Sequence, residues 1–139
     1  MSGLNAFLSQ NAIQVENEKH VISTRFVDEE GKPIPWEIRA LSENENAMLR
    51  KTCTKRTRNK GVVTTDTDYE GYLAKLVTEC VVYPNLKDKG LQESYGVLGA
   101  ENLAKTMLTA GEYSELLEKV QLVNGFDIGI EELVEEAKN

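Results

Sequence analysis

Residue types able to do chemistry are few in this chain, and they do not converge. One histidine, His20, stands at the start of a strand-like run, with no Ser-His-Asp set and no Cys-x-x-Cys pair to join it. Cys53 and Cys80 lie 27 positions apart, on segments that read as two different helices. In a chain without a secretory signal they are expected to be reduced, partly buried thiols. A metal site would need His20 or the cysteines joined by carboxylates, and no spacing brings them together. Gly96 and Gly99, in Tyr95-Gly96-Val97-Leu98-Gly99, lack the spacing and the lysine of a phosphate loop. Carboxylate pairs such as Glu29/Glu30 and Glu131/Glu132 are neighbours on solvated segments. No catalytic residue, metal or cofactor is therefore expected, and binding to another protein is the reading that remains.

Composition narrows the partner. Hydrophobic residues make up 40% and charged residues 28%, a balance suited to a folded domain with its own core. The net charge of -7 disfavours whole-surface attraction to nucleic acid or to an anionic membrane. Met1 to Gln10 has no basic residue and does not read as a secretory signal, and no apolar run is long enough to span a bilayer.

Two segments break the charge pattern. Arg50, Lys51, Lys55, Arg56, Arg58 and Lys60 lie together without an acidic residue. They read as a helix C-terminal turn running into an exposed, mobile loop, where cations suit the helix dipole. A phosphate-binding or nucleic-acid-binding site is the rival reading, weakened by the lack of interleaved aromatics. The closing segment is the mirror image: Asp127, Glu131, Glu132, Glu135 and Glu136 face Lys138 alone. Opposite charges at two distant segments are able to pair within one molecule or between copies, and the second option would drive head-to-tail self-association.

The elements that would position these groups follow from periodicity. Ser2 can cap a short helix carrying Leu4, Phe7 and Leu8. His20 to Val27 and Ile34 to Leu41 read as two strands of a hairpin around the turn Asp28 to Pro33. Pro33 and Pro35 put the second strand at an edge. Everything after Ser42 reads as helical. Ser42 with Glu45 forms a capping box for a helix toward Cys53. Asp66 is placed as the N-cap of a helix over Thr67 to Val82, which Pro84 ends. A short helix near Lys89 to Ser94 leads into the glycine bend at 96–99. Leu103, Ala104, Met107 and Leu108 form one face of Ala100 to Leu108. Thr109 with Glu112 starts a helix bearing Tyr113, Leu116, Leu117, Val120 and Val123, which stops at Gly125. Ile130 to Ala137 reads as a last, acidic helix. The expected fold is α+β, mainly helical, in one domain over 1–139: a hairpin at about 20–41, then a bundle of short helices over 42–138. Helices this short bury one face each, so apolar residues are left over for a partner helix. The preferred contacts are Tyr95, Val97, Leu98, Leu103, Met107, Leu108 and Leu116.

The ordered stretches also carry a family likeness. They are Gln14 to Lys19, Pro35 to Ser42, Glu79 to Leu86, Leu91 to Val97, Met107 to Tyr113 and Asn124 to Asp127. Together they resemble the XkdN-like tail assembly chaperones of contractile-tailed phages and PBSX-like prophages, over nearly the whole chain. The segment Lys55 to Thr65 is the least family-like part. The resemblance implies a transient binder of the tape measure protein, a very long, mostly helical chain that must stay soluble until tail tube subunits polymerise around it. It also implies a place in the bacterial host cytoplasm and absence from the mature virion; with no nucleotide site in the sequence, release would have to come from competition by tail tube subunits. It assigns no role to any individual residue. The readings set against it are a structural tail component retained in the virion, and a small nucleic-acid-binding regulator using 50–60.

Overall fold

The computed structural model describes residues 3–126. Its fold is α+β. A 3₁₀ turn, Gly3–Phe7, comes first, followed by β1 (Glu18–His20), β2 (Trp36–Ile38) and α1 (Glu43–Thr52). Next come β3 (Thr54–Asn59), β4 (Val62–Thr67), α2 (Tyr69–Cys80) and β5 (Val81–Tyr83). Three helices close the described chain: α3 (Lys89–Ser94), α4 (Ala100–Met107) and α5 (Ala110–Val123). Ser2 and the segment Ile130 to Ala137, expected as a cap and a last helix, lie outside the described residues.

The expected hairpin is present but differently built. Its strands are short, pairing His20 with Trp36 and Glu18 with Ile38. Residues 21–35 leave the ladder and rejoin it only at the tip, through the Val27–Pro33 bridge. Within this stretch Ser23 is buried and its Oγ accepts the Arg25 N–H at 3.1 Å, a local contact of the kind that competes with strand pairing. At the tip, Asp28 Oδ1 accepts the N–H groups of Glu30 and Lys32, each at 2.9 Å. The edge position expected for the second strand is overturned. β2 is central, between β1 and β5, because both prolines precede its three paired residues.

β5 was hidden inside the expected helix over Thr67 to Val82. α2 begins two residues later than expected, capped by Asp68 rather than Asp66: Asp68 Oδ1 accepts the Gly71 N–H at 3.0 Å. It stops at Cys80, and Val81 adopts extended backbone and pairs with Ile38. Val81 and Val82 are β-branched, so they suit a strand better than a helix end. The expectation that everything after Ser42 is helical fails a second time at β3–β4. The basic segment read as a mobile loop is an antiparallel ribbon in register from Thr54–Thr67 to Asn59–Val62. Its two-residue turn places Lys60 at φ 55° and Gly61 at φ 79°, the left-handed pair that a tight hairpin demands.

Both capping boxes form as expected, at Ser42/Glu45 and Thr109/Glu112. The helices then bury one stripe each around α2. Leu76, Val77 and Cys80 of α2 meet Leu103 and Ala104 of α4, Leu116 and Val120 of α5, and the inward face of the sheet at Trp36, Ile38 and Val81. Cys53 and Cys80 are both buried, free thiols, and burial pushes the Cys80 thiol above its ordinary range. Leu76 has no exposed surface, so Leu76→Ala should leave a cavity and cost about 3 to 5 kcal/mol in urea denaturation. A loss under about 1 kcal/mol would mean that α2 is not the centre of the core.

Candidate functional site

Two depressions open beside the C-terminal end of α4, where Met107 and Leu108 are consecutive. The first is an apolar cleft of about 170 Å³ lined by Phe26, Ile34, Trp36, Tyr83, Pro84, Leu91, Tyr95 and Met107. Its floor is core: Trp36 and Met107 are buried. Its rim is open, with Tyr83 55% and Tyr95 37% exposed. The second is a groove of about 490 Å³ between α2 and the α4–α5 corner, with Leu73, Leu108, Tyr113 and Leu117 along it and Glu70 and Lys105 at its borders. Burial raises the Tyr113 phenol above its ordinary range.

Each wall of the cleft is held by a polar contact. The loop carrying Phe26 is fastened by Arg25. Its Nη2 donates to the Met107 carbonyl at 2.8 Å, its Nε donates to Glu112 Oε2 at 3.2 Å, and its guanidinium lies 5.0 Å from the Phe26 ring centre. Glu112 thus serves twice, accepting the Thr109 N–H at 2.8 Å as part of the α5 cap while pairing with Arg25. The opposite wall depends on Gln92, a buried residue of α3. Its Nε2 donates to the Leu86 carbonyl at 2.9 Å, and its Oε1 accepts the Gly99 N–H at 3.0 Å. That bridge anchors the glycine bend next to Tyr95, where Gly96 and Gly99 take φ of 68° and 91°.

The seven apolar contacts expected from the sequence are divided by the fold. Tyr95 and Met107 line the cleft, and Leu108 sits at the base of the groove. Leu103 and Leu116 are fully buried core residues, while Met107 and Leu108, nearly buried, present only a small surface to the depressions they line. Val97 packs half-buried against the core, while Leu98 stands 83% exposed at the bend. The cleft's other aromatic residues, Phe26, Trp36 and Tyr83, were not among those contacts. Only tertiary pairing of β2 with β1 and β5 brings them to Tyr95.

Of the charged set, Arg50 pairs with Glu43 at 3.1 Å, inside α1. Lys51 ends the same helix, and Lys55, Arg56, Arg58 and Lys60 lie on the ribbon and its turn. Glu131, Glu132, Glu135 and Glu136 lie outside the described residues. His20 Nε2 is 3.1 Å from Glu18 Oε1 at the sheet edge. Among the described residues, no group of three or more His, Cys, Asp or Glu is placed to hold a metal, and no helix is long and apolar enough to cross a membrane.

Comparison with known proteins places these features in a family. The family model for phage XkdN-like tail assembly chaperone proteins matches residues 4–138. The Bacillus subtilis (strain 168) protein YqbN is 36% identical over 98% of this chain and 93% of its own length. The phage-like element PBSX protein XkdN of the same strain is 34% identical over the same shares. The crystal structure of YqbN superposes with a TM-score of 0.79 at 31% identity, covering 91% of this chain and 99% of that one.

Glu112 makes the cleft wall pH-dependent. Hydrogen bonds from Arg25, then Ser23, then the Thr109 backbone hold its carboxyl at about 2, below the ordinary 4.5. A carboxyl whose pKa falls on folding contributes fully above its unfolded pKa and loses that contribution as the pH falls through about 2. Glu112→Gln should therefore lower the melting temperature at neutral pH and flatten its fall between pH 4.5 and 2. Parallel pH profiles for variant and wild type would show that the Arg25–Glu112 link contributes nothing.

Proposed function

This chain belongs to the phage XkdN-like tail assembly chaperone family, and on that premise we propose that it transiently binds the tape measure protein and keeps it soluble during tail tube assembly. The supporting observation is the aromatic-rimmed cleft, an apolar depression left open where sheet, α3 and α4 meet. Its volume of about 170 Å³ falls below the ~300–1,000 Å³ of ordinary small-molecule pockets. It suits one large side chain of a client better than a cofactor. The adjoining groove offers a second apolar contact, so an amphipathic helix can set successive turns into the two depressions.

A tape measure is a long helical chain whose apolar stripes would aggregate if left bare. Shallow contacts of this kind are individually modest, and affinity comes from many copies along one client. Modest contacts also permit release, here by competition from tail tube subunits. The role is non-catalytic and belongs to the host cytoplasm, before the virion is complete. The net charge of -7 keeps the loaded complex dispersed through like-charge repulsion.

The test is co-expression with a tape measure protein from a phage or prophage of this type. Wild-type chaperone should hold the client in the soluble fraction and co-purify with it. Tyr83→Ala with Tyr95→Ala, which removes the exposed rim, should lose most of the soluble client with an unchanged circular dichroism spectrum. Full retention of soluble client by the double variant would overturn the cleft as the contact surface.

A further inference from the structure

The β3–β4 ribbon stands away from the rest of the fold. Both strands are exposed along their length except at Thr54, and their packing is almost entirely against each other. A two-stranded ribbon in water is marginal without a third partner. The partner's chemistry is written on its faces. Alternation puts Arg56 and Arg58 on one face, opposite Thr65 and Val63, while Lys55 on the other face has Asp66 across from it. The Arg56/Arg58 face thus carries unopposed positive charge, and neither arginine is in an ion pair among the described residues.

The complementary charge is in the same sequence. Residues 127–139 hold Asp127, Glu131, Glu132, Glu135 and Glu136 against Lys138. The ribbon and the last described residues lie at opposite ends of α2. The ribbon's base is clamped at the start of that helix, where the Asp68 N–H donates to the Cys53 carbonyl at 2.7 Å. The end of α5 is clamped at its finish, where Asn124 Nδ2 donates to Cys80 Sγ at 3.4 Å and Asn124 Oδ1 accepts the Leu41 N–H at 2.8 Å. About 18 Å of helix separates the two clamps. The attachment point of the acidic segment and the ribbon thus lie at opposite ends of α2, the arrangement that a head-to-tail contact uses.

We propose that copies of this chain associate head to tail, the Arg56/Arg58 face of one ribbon receiving the acidic segment 127–139 of the next copy. The contact is heterologous, so it leaves a ribbon free at one end and an acidic segment free at the other and extends into a row. A row of copies matches a long client, but the association itself does not depend on the tape measure reading and is measured without any client.

The experiment is sedimentation velocity on the full chain across protein and salt concentrations. Wild type should self-associate at low salt and dissociate as salt rises. Arg56→Glu with Arg58→Glu should weaken association at least about tenfold, and so should Glu131→Lys with Glu132→Lys, Glu135→Lys and Glu136→Lys. Mixing the two charge-reversed variants should restore a complex between them, which a merely misfolded variant could not do. Several outcomes would overturn the proposal. They are a monomer under every condition, salt-insensitive oligomers, failure of the mixed variants to pair, or wild-type binding of a short duplex DNA that is lost in the arginine variant without any change in mass.

Discussion

Leu76, Val77 and Cys80 have no exposed surface, and their burial requires four separate neighbours to reach α2 at once. α1 covers one side, α4 and α5 cover another, and the sheet closes the end through β5, which continues directly from the helix. Each neighbour is a short element that would be marginal alone. The sheet has only three strands, and its central strand pairs with one neighbour close in sequence and one far away. Without α2 as a shared surface, neither sheet nor helix pairs would have enough apolar area to offset the entropy of ordering them.

Polar contacts then fix how those neighbours approach. Tyr72 donates to Asn46 in a buried hydrogen bond, and Asn46 donates in turn to Glu43 at 3.1 Å, which sets α1 against α2. Arg39 follows β2 and donates to the Glu79 carbonyl at 3.0 Å and to Glu45 at 3.1 Å, joining sheet, α2 and α1. Asn124 fastens the end of α5 to Leu41 and Cys80. Among the described residues, no buried side-chain polar atom lacks a partner. A core satisfied in this way is held in one arrangement, and it keeps the cleft walls in place.

What the core leaves uncovered is unevenly distributed. The cleft rim, the glycine bend with Leu98 and the side chains Leu4, Phe7 and Ile13 are exposed hydrophobic surface among the described residues. The ribbon is exposed and cationic in a chain that is acidic overall. The apolar and charged surfaces belong to different parts of the fold and differ in chemistry.

Sequence by itself determined what depends on neighbours along the chain. The two capping boxes, the helix over Lys89–Ser94, the glycine bend and the turn at Asp28 are local, because the groups that satisfy each backbone donor lie within a few residues. The ribbon was also locally legible: Asn59-Lys60-Gly61 between runs of Thr and Val is a hairpin signal, masked by the density of basic charge. Only the tertiary structure decided the rest. Val81 continues the apolar stripe of α2 in spacing, and nothing local shows that Ile38, far back in the chain, will claim it as a strand. Leu103 and Leu116 have the periodicity of any apolar face, and only packing around α2 shows that they belong to the core. The cleft is the clearest case. Phe26, Trp36, Tyr83 and Tyr95 are spread across the sequence, and a cavity is a property of where side chains fail to meet, which no spacing along a chain records.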